Sequence, residues 1–367
     1  MKIAIVTVYD SFINYGSFLQ AFGMKSIFEE YGHEVFFIRR MSDEKVLKRL
    51  NDIAWNNFSV KKNKNLRILR EINHVYKYIR ECYLNRKRFT ISKKNDWEKI
   101  NIINYDECEK YGIDCIICGS DEIWNVHNKD VDMNFYTCGW NKSIPMYAVA
   151  ISSGVTKESE LSNSDREHIK AFKEIYPRDE MTFELCNALN CSTNSVVCDP
   201  TIMAGKVYFD KFETSYKSKQ KYMLVYSYVF SKKQKEILKK YASENGLKLI
   251  SACIYADFVD EVVYTSALEF PALVKNAECM YTATFHGTIF GLMFAKRLCC
   301  IPRLSKIQSL LNRCGANVYT ASEESDYSNV KEVLDKKLNH NLIDKNLENI
   351  KDETISIIEK LLNGKII

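Results

Sequence analysis

The sequence predicts an α/β protein with two doubly wound domains, and three observations support this class. The 367 residues are enough for roughly two domains at about 150 residues each. Hydrophobic residues make up 46% of the chain and charged residues 27%, which is typical of a compact globular protein. Short β-branched segments alternate with segments of helical periodicity, a pattern that favours parallel sheets covered by helices.

The N-terminal domain is predicted to span residues 1–208 and to open with a β–α–β unit. Residues 3–8 are rich in β-branched side chains, and residues 17–30 have apolar side chains at helical spacing. A second strand is expected at residues 34–38. Four further strands are expected in this domain, at residues 114–118, 145–150, around 176 and 195–198.

A smaller domain of the same kind is predicted at residues 219–343, after a linker at residues 206–221 that lacks sustained periodicity. Its expected strands are residues 222–228, 247–253, 278–282 and 298–301. Its expected helices are residues 232–245, 270–276 and 287–295. The tail, residues 344–367, has apolar residues at helical spacing and is predicted to be a helix that packs back on either domain.

A basic insertion interrupts the first domain at about residues 41–104. Residues 61–94 contain twelve basic and two acidic residues, and their apolar residues recur at helical spacing. The pattern predicts a helix with an apolar stripe and a basic face. Such a face is either ordinary solvated surface or a surface that binds anionic lipid, and we expect peripheral membrane contact through residues 61–94 in the second case.

Composition excludes several classes of protein. The net charge of +5 is too small to indicate nucleic-acid binding. The 13 cysteines have no paired spacing, so we expect reduced thiols and a cytoplasmic location. We expect no membrane-spanning segment, because the longest uncharged stretch near the C-terminal half, residues 279–295, contains His286 and several polar residues. No zinc-ligand spacing or glycine-rich nucleotide motif occurs, so no metal or nucleotide cofactor is expected.

Candidate site residues follow the predicted strands, because ligands of doubly wound sheets bind outside the carboxyl ends of the strands. After the first strand, Asn14, Gly16 and Ser17 begin a helix whose backbone N–H groups could bind a phosphate or a sugar. After residues 114–118 comes a run with a hydroxyl, two carboxylates and an aromatic ring, as in a sugar site: Gly119, Ser120, Asp121, Glu122 and Trp124. Helix capping explains Ser120 or Asp121 about as well.

Two cationic candidates follow later strands. The strand at residues 278–282 leads into a helix start with an imidazole, which favours an anion site: Thr284, Phe285, His286, Gly287 and Thr288. A lone histidine is more often structural. Arg178 lies where a guanidinium could bind a carboxylate or a phosphate, although the neighbouring Asp179 could instead be its partner. Asp199 precedes a proline, and turn formation nearly explains it.

In their order and spacing these segments resemble the polysaccharide pyruvyl transferase family. The shared segments are Asn14-Tyr15-Gly16-Ser17, Gly32-His33-Glu34-Val35, the run from Gly119 to Asn125, Tyr147-Ala148, Asp199-Pro200-Thr201 and Thr284-Phe285-His286-Gly287. The resemblance covers most of the chain. It implies two Rossmann-like domains that face a cleft, similar to the glycosyltransferase-B arrangement.

The resemblance also implies an activity. The donor would be phosphoenolpyruvate, a co-substrate rather than a cofactor, and the acceptor a hexose of a surface polysaccharide precursor. The products would be a cyclic pyruvate ketal and phosphate. Arg178 and His286 match donor-site positions from the two domains, and residues 284–288 would complete that site. Thr284 stands where some members have an arginine, for which a nearby lysine or arginine such as Arg303 is the candidate substitute. Glu122 replaces the usual glutamine.

The chemistry suggests a role for each candidate. Phosphoenolpyruvate must be held by its carboxylate and phosphate, and one acid and one base must act in a site that excludes water. We assign donor binding to Arg178, phosphate binding and proton donation to His286, and the general base to Asp121. Ser120, Trp124 and Asn14 would shape the acceptor side of the cleft.

Three questions remain open at this stage. If the acceptor is linked to a lipid diphosphate, the basic insertion would hold the enzyme at the inner membrane surface. The same fold could instead belong to a nucleotide-sugar glycosyltransferase. It could also belong to a non-catalytic scaffold that binds glycans or membranes, and this reading is favoured if Arg178 and His286 lie in separate cores.

Overall fold

The computed structural model describes residues 1–11, 14–58 and 67–364, without the side chains of residues 56–58 and 67–74. Two parallel sheets organise this part of the chain. The first sheet has the order β3-β2-β1-β4-β5-β6. Its strands are β1 (Lys2–Val6), β2 (Glu34–Ile38), β3 (Asn101–Ile103), β4 (Cys115–Cys118), β5 (Met146–Ile151) and β6 (Glu174–Pro177).

Helices connect these strands on both faces of the sheet. They are α1 (Tyr15–Glu30), α2 (Asp43–Phe58), α3 (Arg67–Asn95), α4 (Cys108–Tyr111), α5 (Met133–Tyr136), α6 (Asn163–Lys170), α7 (Glu180–Ala188) and α8 (Pro200–Asp210). The helix α1 begins at Asn14, whose side chain accepts a hydrogen bond from Gly16 N at 3.1 Å. Most of α1 is buried, because it packs on the sheet on one side and on α8 on the other.

The second sheet has the order β11-β10-β7-β8-β9. Its strands are β7 (Tyr222–Tyr226), β8 (Lys248–Ala252), β9 (Glu261–Val263), β10 (Cys279–Thr282) and β11 (Leu298–Cys300). The helices of this half are α9 (Lys232–Glu244), α10 (Phe270–Asn276), α11 (Phe285–Phe294), α12 (Ser305–Arg313), α13 (Tyr327–Asp335) and α14 (His340–Leu362). Both sheets are wound as Rossmann-like domains, so the predicted fold class is confirmed.

The largest hydrophobic core joins the two halves of the molecule. Its members come from α1, α8, α11 and α14, among them Phe22, Ile202, Phe290 and Ile350. The helix α14 contacts both α8 and α11. The last helix therefore contacts both halves of the molecule.

Two expected elements differ from the structure. Residues 195–198 are not a strand of the sheet, although the segment runs beside β6: Val197 N donates to the Pro177 carbonyl oxygen at 2.8 Å. The next residue turns to α14, where Cys198 N donates to Thr354 Oγ1 at 3.0 Å. The expected linker begins later than residue 206, since α8 continues to Asp210 past a kink at Gly205, where φ is 78°. The boundary at residue 208 therefore falls inside α8 and stays a prediction.

The basic insertion forms α2 and α3, which pack on each other. Residues 61–66 of the predicted amphipathic helix lie outside the described part of the chain. Among the described residues, no helix is both long and apolar enough to cross a membrane.

Candidate functional site

A cleft of about 390 Å³ lies where the carboxyl ends of strands from both sheets meet. Seven residues expected at the site line it: Asn14, Ser17, Asp121, Glu122, Thr284, Phe285 and His286. The cleft is also lined by polar residues that the sequence did not single out, including Arg40, Arg49, Asp130, Tyr136, Tyr228 and Lys306. The cleft combines both charges with aromatic rings, which suits an anionic ligand beside a sugar.

One buried carboxylate connects the two cationic candidates. Asp199 Oδ2 lies 3.0 Å from Arg178 Nη1 and 3.5 Å from His286 Nε2. Arg178 comes from the end of β6 in the first half, and His286 from the start of α11 in the second. All three side chains are more than nine-tenths buried. The structure therefore brings Arg178 and His286 to one place, and not into separate cores.

Asp199 has two structural tasks. As the cap of α8 it accepts hydrogen bonds from Thr201 N at 3.0 Å and Thr201 Oγ1 at 2.7 Å through Oδ1. Its other oxygen, Oδ2, faces Arg178 and His286. Burial raises the pKa of Asp199, but the charges of His286 and Arg178 outweigh burial and hold this pKa well below its ordinary value. Asp199 is therefore an anion at neutral pH.

Asp121 lies on the other side of Arg178, with its Oδ1 3.7 Å from Arg178 Nη2. Its backbone is left-handed, with φ at 79°, and this conformation turns the carboxylate towards the start of α1. There Ser17 Oγ donates to Asp121 Oδ2 at 3.4 Å. Burial raises the pKa of Asp121, and the charges of Arg178, His286 and Lys306 more than reverse this effect.

The start of α11 positions His286 and Phe285. Thr284 caps the helix, and its Oγ1 accepts from Gly287 N at 3.0 Å. The half-buried Phe285 ring lies in the cleft between two cations, with its centroid 5.4 Å from the Arg178 guanidinium and 5.0 Å from Lys306 Nζ. Aromatic faces attract cations at this distance.

A salt bridge crosses the cleft. Lys306 Nζ of α12 lies 2.6 Å from Glu122 Oε1, which follows β4 in the other half of the molecule. Arg303, the expected substitute for a second donor-site arginine, lies elsewhere: it pairs with Glu323 and donates to the Val229 carbonyl oxygen. The basic residue that α12 brings to the cleft is therefore Lys306.

Seven expected site residues are not among those that line the cleft: Arg178, Gly16, Gly119, Ser120, Trp124, Gly287 and Thr288. Arg178 contacts two residues that do line it, Asp121 and Phe285. Trp124 is fully buried, and its Nε1 donates to the Tyr136 carbonyl oxygen at 3.0 Å, so it is a core residue. Thr288 turns inward and donates to the Thr284 carbonyl oxygen at 2.9 Å. Gly119 supports the turn, where its N–H donates to the Val6 carbonyl oxygen. Ser120 is buried beside the site, with its Oγ 3.4 Å from Arg178 Nη1.

The described residues contain no cluster of three His, Cys, Asp or Glu side chains placed to hold a metal ion.

Comparison with solved structures bears on the fold. A protein of Listeria monocytogenes, provisionally named UDP-N-acetylglucosamine 2-epimerase, aligns with a TM-score of 0.54 at 8% identity, over 99% of this chain and 97% of that chain. UDP-N-acetylglucosamine 2-epimerase of Rickettsia bellii aligns with a TM-score of 0.49 at 12% identity, over 98% of both chains. The glycosyltransferase SsfS6 of Streptomyces sp. SF2575 aligns with a TM-score of 0.39 at 10% identity, over 97% of this chain and 96% of that chain. The chain shares its overall fold, with two Rossmann-like domains, with the Listeria monocytogenes protein.

The family to which the chain belongs is established by a match to a family model. Residues 14–305 match the family model for polysaccharide pyruvyl transferase. The matched residues include segments from both sides of the cleft. The chain belongs to the polysaccharide pyruvyl transferase family, which implies a transferase that acts on polysaccharide. The comparison with curated proteins gave no match.

Proposed function

We propose that this protein transfers the enolpyruvyl group of phosphoenolpyruvate to a hexose of a surface polysaccharide precursor, with a cyclic pyruvate ketal and phosphate as products. One observation supports this most directly: Arg178 and His286 converge from the two domains on Asp199. Arg178 Nη2 and His286 Nε2 are buried, and neither makes a hydrogen bond to any residue in the described ranges. Buried polar groups are normally paired, so these two donors suit an anionic ligand.

The donor would lie at these two groups. Phosphoenolpyruvate carries a carboxylate and a phosphate, and a guanidinium binds such groups through paired N–H donors. We assign the donor anion to Arg178 and the phosphate to His286, at the N-terminal end of α11, where the helix dipole also favours negative charge. Thr284 and Phe285 border this position.

In the reaction, the first acceptor hydroxyl would add to the carbon that bears the phosphate. The proton that this hydroxyl loses balances the proton gained by the methylene carbon of the donor. The bond between carbon and the phosphate oxygen then breaks with its electron pair on phosphate, and His286 protonates the departing oxygen. The second hydroxyl bonds to the same carbon. The proton that this hydroxyl loses returns to His286, which is then protonated again.

Asp121 remains our candidate for the group that receives the hydroxyl proton. Its carboxylate is 22% exposed, borders the cleft and is held ionised by Arg178. A low pKa makes it a weak base, so its contribution would be to orient the hydroxyl and to accept the proton late in the step. Asn14, Ser17 and Glu122 lie on the same side of the cleft and would contact the acceptor.

Titration calorimetry with phosphoenolpyruvate tests the donor assignment. We expect binding to the unmodified protein, and a loss of at least tenfold in affinity for Arg178→Met and for His286→Gln. Lys235→Gln is the control, because Lys235 pairs with Asp257 at the surface and outside the cleft. Binding of a nucleoside diphosphate sugar without phosphoenolpyruvate binding would favour a glycosyltransferase. Binding of neither ligand would favour a scaffold.

We also propose that α3 holds the enzyme against an anionic membrane, where a lipid-diphosphate-linked acceptor would be found. One face of α3 exposes Val75, Tyr76, Ile79 and Tyr83 by 44%, 65%, 60% and 69%. The exposed Arg86 and Lys94 continue the same face one to three turns further along the helix. Exposed aromatic and aliphatic side chains beside cations are typical of helices that lie in the membrane interface.

Sedimentation with lipid vesicles tests this surface. We expect binding to vesicles that contain phosphatidylglycerol, weaker binding to phosphatidylcholine alone, and loss of binding in Ile79→Ser/Tyr83→Ser. Val207→Ser is the control, since Val207 is 85% exposed and lies far along the chain from α3. Equal binding of both variants would contradict the assignment, and a change in oligomeric state confined to the α3 variant would indicate a protein interface instead.

A further inference from the structure

The bridge between Lys306 and Glu122 differs from the other ion pairs of the site. Both side chains line the cleft, and they are 21% and 33% exposed, whereas the pair of Arg178 and Asp199 is almost fully buried. The bridge joins α12 of one domain to the segment after β4 of the other. A partly exposed pair of this kind is easily broken, because water can replace either partner.

Lys306 is also close to the donor position. Its Nζ and the Arg178 guanidinium contact the same Phe285 ring, at 5.0 Å and 5.4 Å from the centroid. A ligand that meets Arg178 at this ring is therefore within reach of the flexible lysine side chain. Among the described residues, Arg178 and Lys306 are the two cations that contact this ring.

The charges around the donor position leave a need for a further cation, which Lys306 can supply. The charge of Arg178 is already opposed by Asp199 and Asp121, at 3.0 Å and 3.7 Å. His286, to which we assign the phosphate, faces the same Asp199 carboxylate at 3.5 Å. A donor with a carboxylate and a phosphate therefore needs a further positive charge beside Arg178 and His286. Glu122 can release Lys306 and keep a partner, since Asn125 Nδ2 donates to its Oε2 at 3.1 Å.

We propose that Lys306 is a further donor-binding residue, which exchanges the Glu122 carboxylate for an anionic group of the donor when the donor enters the cleft. This inference rests on the proposed function, because it takes phosphoenolpyruvate as the donor. Glu122 then competes with the donor for one cation, so the two residues have opposite effects on affinity.

Calorimetry with phosphoenolpyruvate on four variants tests the exchange. We expect Lys306→Gln to weaken binding roughly 10- to 100-fold, as expected for the loss of a charged hydrogen bond. Glu122→Gln should tighten binding about two- to fivefold, because it removes a competitor. In the double variant, Glu122→Gln should have no further effect. The matched control pair is Lys235→Gln and Asp257→Asn, which removes a bridge of the same 2.6 Å length outside the cleft.

The opposite sign of the two effects separates exchange from a structural role. If the bridge only holds the domains together, both single variants weaken binding, and this result would overturn the inference. Unchanged phosphoenolpyruvate affinity in Lys306→Gln would also overturn the inference. If Arg178→Met still lost affinity in that case, the proposed function would stand without Lys306. Absence of phosphoenolpyruvate binding by the unmodified protein would overturn both. Lys306→Arg keeps the charge and should retain binding, which guards against a folding defect in Lys306→Gln.

Discussion

Gly16 lies directly against the imidazole ring of His286. A Cβ atom at residue 16 would stand 2.1 Å from His286 Nδ1 and 2.3 Å from its Cγ. The start of α1 in one domain therefore fixes the position of the imidazole that α11 brings from the other. The glycine is required for close approach. Asn14, two residues earlier, caps the start of the helix and lines the cleft.

Gly16→Ala should displace His286 and lower phosphoenolpyruvate affinity by about tenfold or more, since small misplacements of site groups have large effects. Overpacking at this contact should also lower stability by roughly 1–3 kcal/mol. Calorimetry and thermal unfolding measure the two effects. Glu30→Ala, an exposed change at the far end of α1, is the control. Unchanged affinity in Gly16→Ala would show that His286 does not depend on this contact.

Asp199→Asn should destabilise the protein by about 3–5 kcal/mol at pH 7, because it leaves the buried Arg178 without its nearest anion. The pKa of Asp199 is lowered in the folded protein, so its stabilisation is present above the unfolded value near 3.8 and is lost as the pH falls below it. The difference in unfolding free energy between the two proteins should therefore shrink in acid.

Urea unfolding at pH 7 and at about pH 2.5 measures this difference, because the stabilisation is lost as the pH falls from the unfolded value towards the lowered folded pKa. Asp257→Asn is the comparison, since it breaks a surface pair with Lys235 and should have a small effect at either pH. A constant difference across this range would contradict the ionised state that we assign to Asp199.

Asp96 should have the opposite pH dependence. This buried carboxylate joins the domains: it accepts hydrogen bonds from Ala267 N at 3.0 Å and Leu268 N at 3.4 Å. Burial raises its pKa to about 6 and outweighs these hydrogen bonds. The folded state thus binds a proton more tightly than the unfolded state, and Asp96 contributes less stability as the pH rises from about 4 to 6.

We expect the unfolding free energy of the unmodified protein to fall relative to Asp96→Asn by roughly 3 kcal/mol between pH 4 and pH 7. Urea unfolding across this range measures the change. Asp326→Asn is a matched control, because Asp326 caps α13 at the surface and its pKa is lowered. Relative to Asp326→Asn, the unfolding free energy of the unmodified protein should not fall as the pH rises. The same pH dependence for both variants would contradict the raised pKa that we assign to Asp96.

Arg88 secures α3 to the second domain. This buried side chain donates to Glu81 at 3.2 Å, to Asn85 at 2.8 Å and to the Cys253 carbonyl oxygen at 3.1 Å. Arg88→Met should lower the unfolding free energy by about 3 kcal/mol, because the buried Glu81 carboxylate loses its nearer cation and keeps only Arg80 at 3.6 Å. Arg88→Met/Glu81→Met should recover part of this loss. Urea unfolding measures both, and a double variant less stable than the single one would contradict this explanation.

The order of strands and helices could be predicted from the sequence because periodicity is a local property. The helix Phe270–Asn276 has the predicted bounds, and the first β–α–β unit differs by at most two residues at each end. The strands β3 and β9 were missed, because each has only three residues and begins with a polar or charged side chain, Asn101 or Glu261. The place of α14 against Cys198 could not be predicted, because it depends on a contact between distant segments.

The site was predicted in part. The rule that ligands bind at strand ends identified Arg178 and His286, and the structure brings them together. Asp199 was identified as a turn residue, because an Asp before a proline is sufficient for a turn and its second contact is tertiary. Trp124 was expected in the cleft, but the Tyr136 carbonyl that satisfies its N–H cannot be inferred from a strand-end motif. The catalytic roles stay predictions.

The core that joins both domains has a consequence for how the protein is made. The N-terminal domain emerges from the ribosome first, with the apolar faces of α1 and α8 still uncovered, since α11 and α14 are synthesised later. The cleft lining is complete only after Lys306 has been translated, and the shared core only after Ile358 of α14. During that interval the apolar faces of α1 and α8 are exposed on the nascent chain, and exposed apolar surface promotes aggregation and chaperone binding. Slow translation of the second half would therefore prolong this exposure.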